Sequence, residues 1–189
     1  MRCAKDLKVD LCDKQLADQL AAHSCPHCEG VWIPPENYEA WQAKVADPTV
    51  GIDDLTLPST ADIDYKPAPY DGRAGLCPQC GFYLVRGRIN LKDTSFYVER
   101  CPGCNGIWCD RGEWPVLEQL NLACYIPLIF TEEWQSHVRV LESEFREKQA
   151  TADKLGPDIA EKLFELAELL EAHPNGDFGV AYLMRRFEE

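Results

Sequence analysis

A small, metal-stabilised α+β fold is predicted by the sequence from three observations. Tight cysteine pairs occur as Cys25-Pro26-His27-Cys28, Cys77-Pro78-Gln79-Cys80 and Cys101-Pro102-Gly103-Cys104; aromatic and β-branched runs lie between the last two pairs; and helical periodicity takes over from Thr131. A Cys-x2-Cys spacing lets two thiolates and nearby backbone N–H groups converge on one metal. Ten cysteines in 189 residues would suggest a disulfide framework in a secreted chain, but pairs at ligand spacing point to a reducing compartment.

The chain contains one unit twice. Cys25-Pro26-His27-Cys28-Glu29-Gly30-Val31-Trp32 aligns with Cys101-Pro102-Gly103-Cys104-Asn105-Gly106-Ile107-Trp108 at a constant offset of 76. Working backward, the second copy has Cys77-x2-Cys80 and then 20 residues before Cys101; the first has Cys3-x2-Asp6 and then 18 residues before Cys25. Asp6 stands where a fourth cysteine would be.

In the second copy, Phe82 to Ile89 and Ser95 to Arg100 suit two strands, and Asn90 to Thr94 supplies turn residues between them. Knuckle, strand, turn, strand, knuckle is a zinc ribbon. Each copy is followed by a short helix: Pro34-Pro35-Glu36 suits the first turn of one near 35 to 46, and Asp110-x-x-Glu113 resembles a capping box for one near 112 to 121. Trp32 and Trp108 are expected to pack helix against ribbon. Residues 47 to 75, with prolines at 48, 58, 67 and 69, read as a Pro/Asp-rich linker, either disordered or extended along a partner. From Thr131 the expectation is a helix to about 154, a second from Pro157 with Ile159, Leu163, Leu166 and Leu170 in one stripe, and a third after His173-Pro174-Asn175-Gly176. The domains are therefore expected at 1–46 (a degenerate ribbon plus helix), 47–75 (linker), 76–122 (a four-cysteine ribbon plus helix) and 123–189 (an α-helical hairpin region).

Cys77, Cys80, Cys101 and Cys104 are expected to hold one tetrahedral Zn²⁺, because four soft ligands are delivered to one point by a hairpin carrying two knuckles. Metal binding in such a module supplies folding free energy on the order of 10 kcal/mol or more. Iron is the rival ion, since four thiolates also suit a rubredoxin-type or cluster site. A second zinc is expected in the first copy on Cys3, Cys25 and Cys28; its fourth donor is Asp6 by alignment, Cys12 by chemistry, or His23 or His27 by proximity. Cys109 and Cys124 read as small buried hydrophobes rather than nucleophiles.

The stretch from Cys77-Pro78-Gln79-Cys80 to Cys101-Pro102-Gly103-Cys104-Asn105-Gly106-Ile107-Trp108-Cys109-Asp110-Arg111-Gly112-Glu113, closing at Leu117, resembles the prokaryotic transcription factor IIB-type zinc-ribbon family. The resemblance implies a fold similar to that transcription factor's ribbon. It is partial over residues 3 to 45, where Pro34-Pro35-Glu36-Asn37 replaces Asp-x-Gly-Glu and Asp6 replaces a cysteine, and it does not cover 120–189.

The formal net charge of −13 opposes broad attachment to nucleic acid or to an anionic membrane face, so a protein partner is expected. The apolar stretch Leu122 to Phe130 is far below the roughly 18 residues of a spanning helix, and the N-terminus lacks a signal sequence's apolar core; the expected compartment is the cytoplasm. The expected function is a non-enzymatic adaptor or scaffold. The alternative is single-stranded nucleic-acid binding through Arg86, Arg88, Lys92 and Arg100 beside Phe82, Tyr83, Phe96 and Tyr97, although residues 77–120 carry five basic and five acidic groups. Thiol catalysis is disfavoured because the cysteine pairs come in matched sets on hairpins rather than singly at a helix start.

Overall fold

The computed structural model describes residues 1–47, 49–51, 55, 58–92 and 94–187. Its described chain is α+β, with one antiparallel six-stranded sheet and six α-helices. The strands are β1 (Cys12–Gln15), β2 (Ala21–Ser24), β3 (Val31–Ile33), β4 (Val85–Asn90), β5 (Ser95–Arg100) and β6 (Ile107–Cys109), in spatial order β1-β2-β3-β6-β5-β4. Each sequence repeat therefore contributes three strands, and the two triplets join at β3 and β6.

The seam is short but defined by register: Val31 pairs with Cys109, Trp32 with Trp108 and Ile33 with Ile107. With the repeat offset, this is the pairing of a strand with its own copy about a pseudo-two-fold axis through the tryptophan pair. Alternation along a strand sends neighbouring side chains to opposite faces. Val31, Ile33, Ile107 and Cys109 thus join a core with Phe96, Trp114, Leu117 and Ile126, whereas Trp32 and Trp108 face the other way, among Cys3, Cys25, Cys77 and Cys101, so they pack against the thiols and not, as expected, between helix and ribbon.

The helices α1 (Pro35–Val45), α2 (Glu113–Gln119) and α3 (Ile126–Ile129) cover the first of these faces. Proline at the first position of α1 is preorganised for a helix start. Tyr38 ties α1 to the later chain by donating its hydroxyl to Ala123 O (2.8 Å) and accepting the Ile126 N–H (3.2 Å). At α2 the expected reciprocal capping box is half formed. Glu113 Oε2 accepts the Asp110 N–H (2.7 Å), but Asp110 Oδ1 accepts the Trp108 indole N–H instead, and the helix begins at Glu113 after Gly112 at φ 85°.

Two further expectations are corrected. The described part of the 47–75 linker lies along this unit: Asp71 is buried and its Oδ1 accepts the Tyr97 N–H, and Tyr65 packs on Phe96 with ring centroids 5.1 Å apart. Pro48, Ile52, Asp53, Asp54, Thr56 and Leu57 of that linker, and Asp93 in the hairpin turn, lie outside the described residues. The chain also divides into Met1–Val138 and Arg139–Glu189. The two ribbons expected as separate modules are one unit because β3 and β6 pair, and residues 123–138 belong with them because Ile126, Ile129 and Trp134 fill their core.

The second unit comprises the rest of α4 (Glu132–Leu155), α5 (Pro157–Glu171) and α6 (Gly176–Arg185). No described helix is long and apolar enough to cross a membrane.

Candidate metal centres

Three knuckles repeat one backbone geometry. The first cysteine N–H donates to the carbonyl five residues on, Cys25 to Gly30, Cys77 to Phe82 and Cys101 to Gly106, at 2.8 to 2.9 Å. The first cysteine carbonyl accepts from the residue after the second cysteine, which sits in the left-handed region: Glu29 (φ 60°), Gly81 (φ 75°) and Asn105 (φ 67°). These turns aim N–H groups at sulfur, as from Cys80 N to Cys77 Sγ (3.4 Å), Cys28 N to Cys25 Sγ (3.4 Å) and Gly103 N to Cys101 Sγ (3.4 Å).

In the second repeat the ligand atoms of Cys77, Cys80, Cys101 and Cys104 all lie within 4.8 Å of one another and could hold a metal ion. Sγ separations across the knuckles are 3.6 Å for Cys77 to Cys104 and 3.3 Å for Cys80 to Cys101. Burial pushes the Cys77 and Cys104 thiols up. Burial acts the same way on Cys101, but the Cys104 N–H, the Cys80 thiol and the Gly103 N–H outweigh it and bring that thiol down to about 7. Crowded sulfurs compete for one negative charge, and a bound cation would let all of them ionise.

In the first repeat the structure gathers Cys3, Cys25 and Cys28 within the same limit, with Cys3 and Cys28 Sγ 3.5 Å apart. Hydrogen bonding with Cys28 lowers the Cys3 thiol to about 6, and the same pairing raises Cys28 far above the ordinary thiol range. The N-terminal knuckle is wider, closing from Cys3 N to Val9 O (2.8 Å). Even so, the Asp6 N–H reaches Cys3 Sγ (3.2 Å) as the Cys80 N–H reaches Cys77, so Asp6 occupies the backbone position of the missing cysteine. Its carboxylate is outside the thiol group and points to other partners. Oδ1 accepts the Lys8 N–H (3.1 Å) and Oδ2 pairs with His27 Nδ1 (2.9 Å), contacts that hold the acid below its usual range. Cys12 is exposed on β1, and His23 pairs with Asp13, so neither joins the three thiols. Cys109 is fully buried on the helix-covered face, where burial pushes its thiol well up.

A third group, missed from sequence, joins both repeats. Lys5 Nζ is 2.8 Å from Glu99 Oε1 and 3.4 Å from Asp110 Oδ2, with all three side chains at most 3% exposed. The Asp71, Asp110 and Glu113 carboxylates gather beside it. Burial pushes Glu99 up to about 7, raises Asp110 and raises Glu113 strongly. Burial thus favours the protonated form at Glu99, Asp110 and Glu113, and it is opposed at Glu99 by the Lys5 ammonium and by the Arg86 guanidinium, whose Nε lies 3.8 Å from Glu99 Oε1. The ammonium already supplies the countercharge at Glu99 and Asp110, which makes the group a tie between repeats. Its sequence signal was Lys5, set between Cys3 and Asp6.

The basic and aromatic residues of the second hairpin are largely engaged. Phe96 is buried; the Arg86 guanidinium lies 3.7 Å from the Tyr97 ring centroid and donates to Asp71 O; Arg88 bonds Ser95 and Arg100 bonds Asn105. Phe82 and Tyr83 are exposed.

No family model, curated protein or solved structure matches the chain.

Proposed function

We propose that the chain is a zinc-binding, non-enzymatic adaptor, in which two zinc ribbons fused about a pseudo-two-fold axis form a rigid body and the C-terminal helices offer a protein-binding face. The observation that carries the metal reading is that four thiols converge where the hydrophobic cluster around them is otherwise built largely from two tryptophans and Leu84. Zn–S bonds of about 2.3 Å place tetrahedral sulfurs about 3.8 Å apart. The observed Sγ separations of 3.3 to 3.6 Å are close to that spacing. Cys77, Cys80, Cys101 and Cys104 would hold one zinc, and Cys3, Cys25 and Cys28 a second, with Asp6 the nearest candidate for its fourth donor by backbone position. In both, the metal would act structurally, fixing knuckles that a small core leaves loose.

The adaptor reading draws on the acidic charge and on the exposed apolar residues of the second unit, such as Ile159, Phe178 and Tyr182. Affinity capture of the full-length chain from its native cells tests it. Recovery of a defined protein at reproducible stoichiometry is expected; recovery of nucleic acid alone would replace this reading with the alternative.

A further inference from the structure

The second unit has almost no interior of its own. Between residues 139 and 187 the only buried residues are Ala160 and Gly176, while Leu163 (41%), Leu166 (38%), Leu169 (69%) and Met184 (61%) stand open to solvent. Helices with stripes of this size are covered in a stable soluble protein.

The stripe is shaped rather than flat. The Gly-x-x-Gly start of α6 brings that helix hard against α5: a Cβ on Gly176 would overlap the Leu170 carbonyl, and one on Gly179 would strike the Leu170 side chain. Between α5 and α6 this leaves a groove of about 610 Å³, lined by Leu163, Leu166, Leu170, Val180, Leu183 and Met184. The charged side chains lining it are Glu171 and Asp177. On α5 as a whole, five acidic residues accompany the single cation Lys162; Arg185 ends α6 and Arg186 follows it, both outside the groove lining.

This charge pattern selects the occupant. A second copy would bring the same acidic rim against the first, and an anionic lipid surface would be repelled. We propose that the α5–α6 groove docks an amphipathic helix of a partner protein whose apolar stripe is flanked by lysine or arginine. The leucines and Met184 take the stripe, and Glu171 and Asp177 meet the flanking cations. The proposal names the partner chemistry of the adaptor reading and rests on it.

The test is calorimetric titration of the full-length, zinc-loaded protein with an 18-residue peptide carrying leucines at helical i, i+3, i+4 and i+7 spacing and lysines elsewhere. Binding in the micromolar range is expected, weakening several-fold between about 50 and 300 mM salt. Leu166→Asp should weaken it about tenfold or more and Leu166→Ala less, each with unchanged helicity. Leu169→Asp, outside the groove lining, should leave it unchanged. A peptide of the same composition with its leucines dispersed around the helix should not bind. The proposal is overturned if the dispersed peptide binds as tightly, or if Leu166→Asp has no more effect than Leu169→Asp. It is equally overturned if the protein alone sediments as a dimer that Leu166→Asp dissociates, which would seat a second copy in the groove. Leu166-dependent co-sedimentation with phosphatidylcholine vesicles in place of peptide binding would put lipid there. Should native-cell capture recover the same protein with wild-type and Leu166→Asp chains, the groove assignment fails while the adaptor reading stands.

Discussion

Trp32 and Trp108 are antiparallel partners across the β3–β6 seam, and each indole covers the glycine that lies two residues before the other tryptophan. A Cβ on Gly30 would overlap the Trp108 ring and one on Gly106 the Trp32 ring. Both tryptophans are fully buried, so neither ring has room to retreat. Gly106→Ala is therefore expected to cost about 2–3 kcal/mol by overpacking, measured by denaturant unfolding against Gly72→Ala, where a Cβ meets nothing within 4 Å. Equal cost at the two glycines would mean that the seam is not closed in solution.

The pseudo-symmetry breaks at one hydrogen bond, and that break is testable. Trp108 donates its indole N–H to Asp110 (2.8 Å), but the repeat places Pro34 at the matching position, and Trp32 Nε1 is buried with no acceptor among the described residues. An orphaned buried donor costs about 1–3 kcal/mol. Pro34→Asn offers a neutral acceptor and a favoured residue at the N-cap of α1, and should raise stability by about 1 kcal/mol. A loss of stability would show that the proline ring's packing outweighs the missing bond.

Metal content separates the two proposed centres. Elemental analysis should find zinc rather than iron, tightly held by the four-cysteine cluster and more weakly by the three-cysteine cluster. Cys101→Ser should remove the tight ion and much of the structure with it. Asp6→Ala should weaken the second ion, and Cys12→Ala should not, because Cys12 lies on an exposed strand away from the three thiols. A protein purified without zinc would sink the ribbon reading.

The buried acids give a pH dependence of defined sign. Burial holds Glu113 protonated well above its ordinary value of 4.5. A carboxyl whose folded pKa is raised destabilises the fold progressively as pH climbs from the unfolded value toward the folded one. Glu113→Gln keeps an acceptor for the Asp110 N–H and resembles the protonated acid. It should gain on the wild type in melting temperature from pH 5 to pH 8 and differ little near pH 4. Comparing the two chains at each pH cancels the thiols' own titration. A constant offset across that range would assign Glu113 an ionised, paired state.

Local features were legible in the sequence, and joins between them were not. The knuckles, the β4–β5 hairpin and the helices starting at Pro35 and Pro157 follow from ligand spacing, β-branched runs and proline placement, each encoded within a few residues. The seam is encoded by strands of three residues each, 76 positions apart, too short for periodicity to register. Its trace was present all the same, in a glycine and a tryptophan kept at the same spacing in both copies. The linker misled for a different reason. Its prolines and aspartates look like solvated chain, yet Asp71 is drawn inside by the Tyr97 N–H and by the Arg86 side chain that donates to its carbonyl, partners that only the fold supplies. Asp110 and Glu113 suggested a helix cap, but Asp110 also pairs with the buried Lys5 and Glu113 is buried among the Asp71 and Asp110 carboxylates, tasks that spacing could not reveal.

A self-complementary seam inside one chain also changes how the fold responds to dilution. Two separate copies of such a hairpin would associate through the β3 edge in a concentration-dependent equilibrium, their stability falling as they are diluted. Here residues 34–106 tether the two edges. A tether of that kind sets an effective concentration that can reach the millimolar range, whatever the amount of protein in the cell. The melting temperature of this unit should thus be the same at nanomolar and at micromolar protein, and the halves should not exchange partners between molecules while the tether is intact.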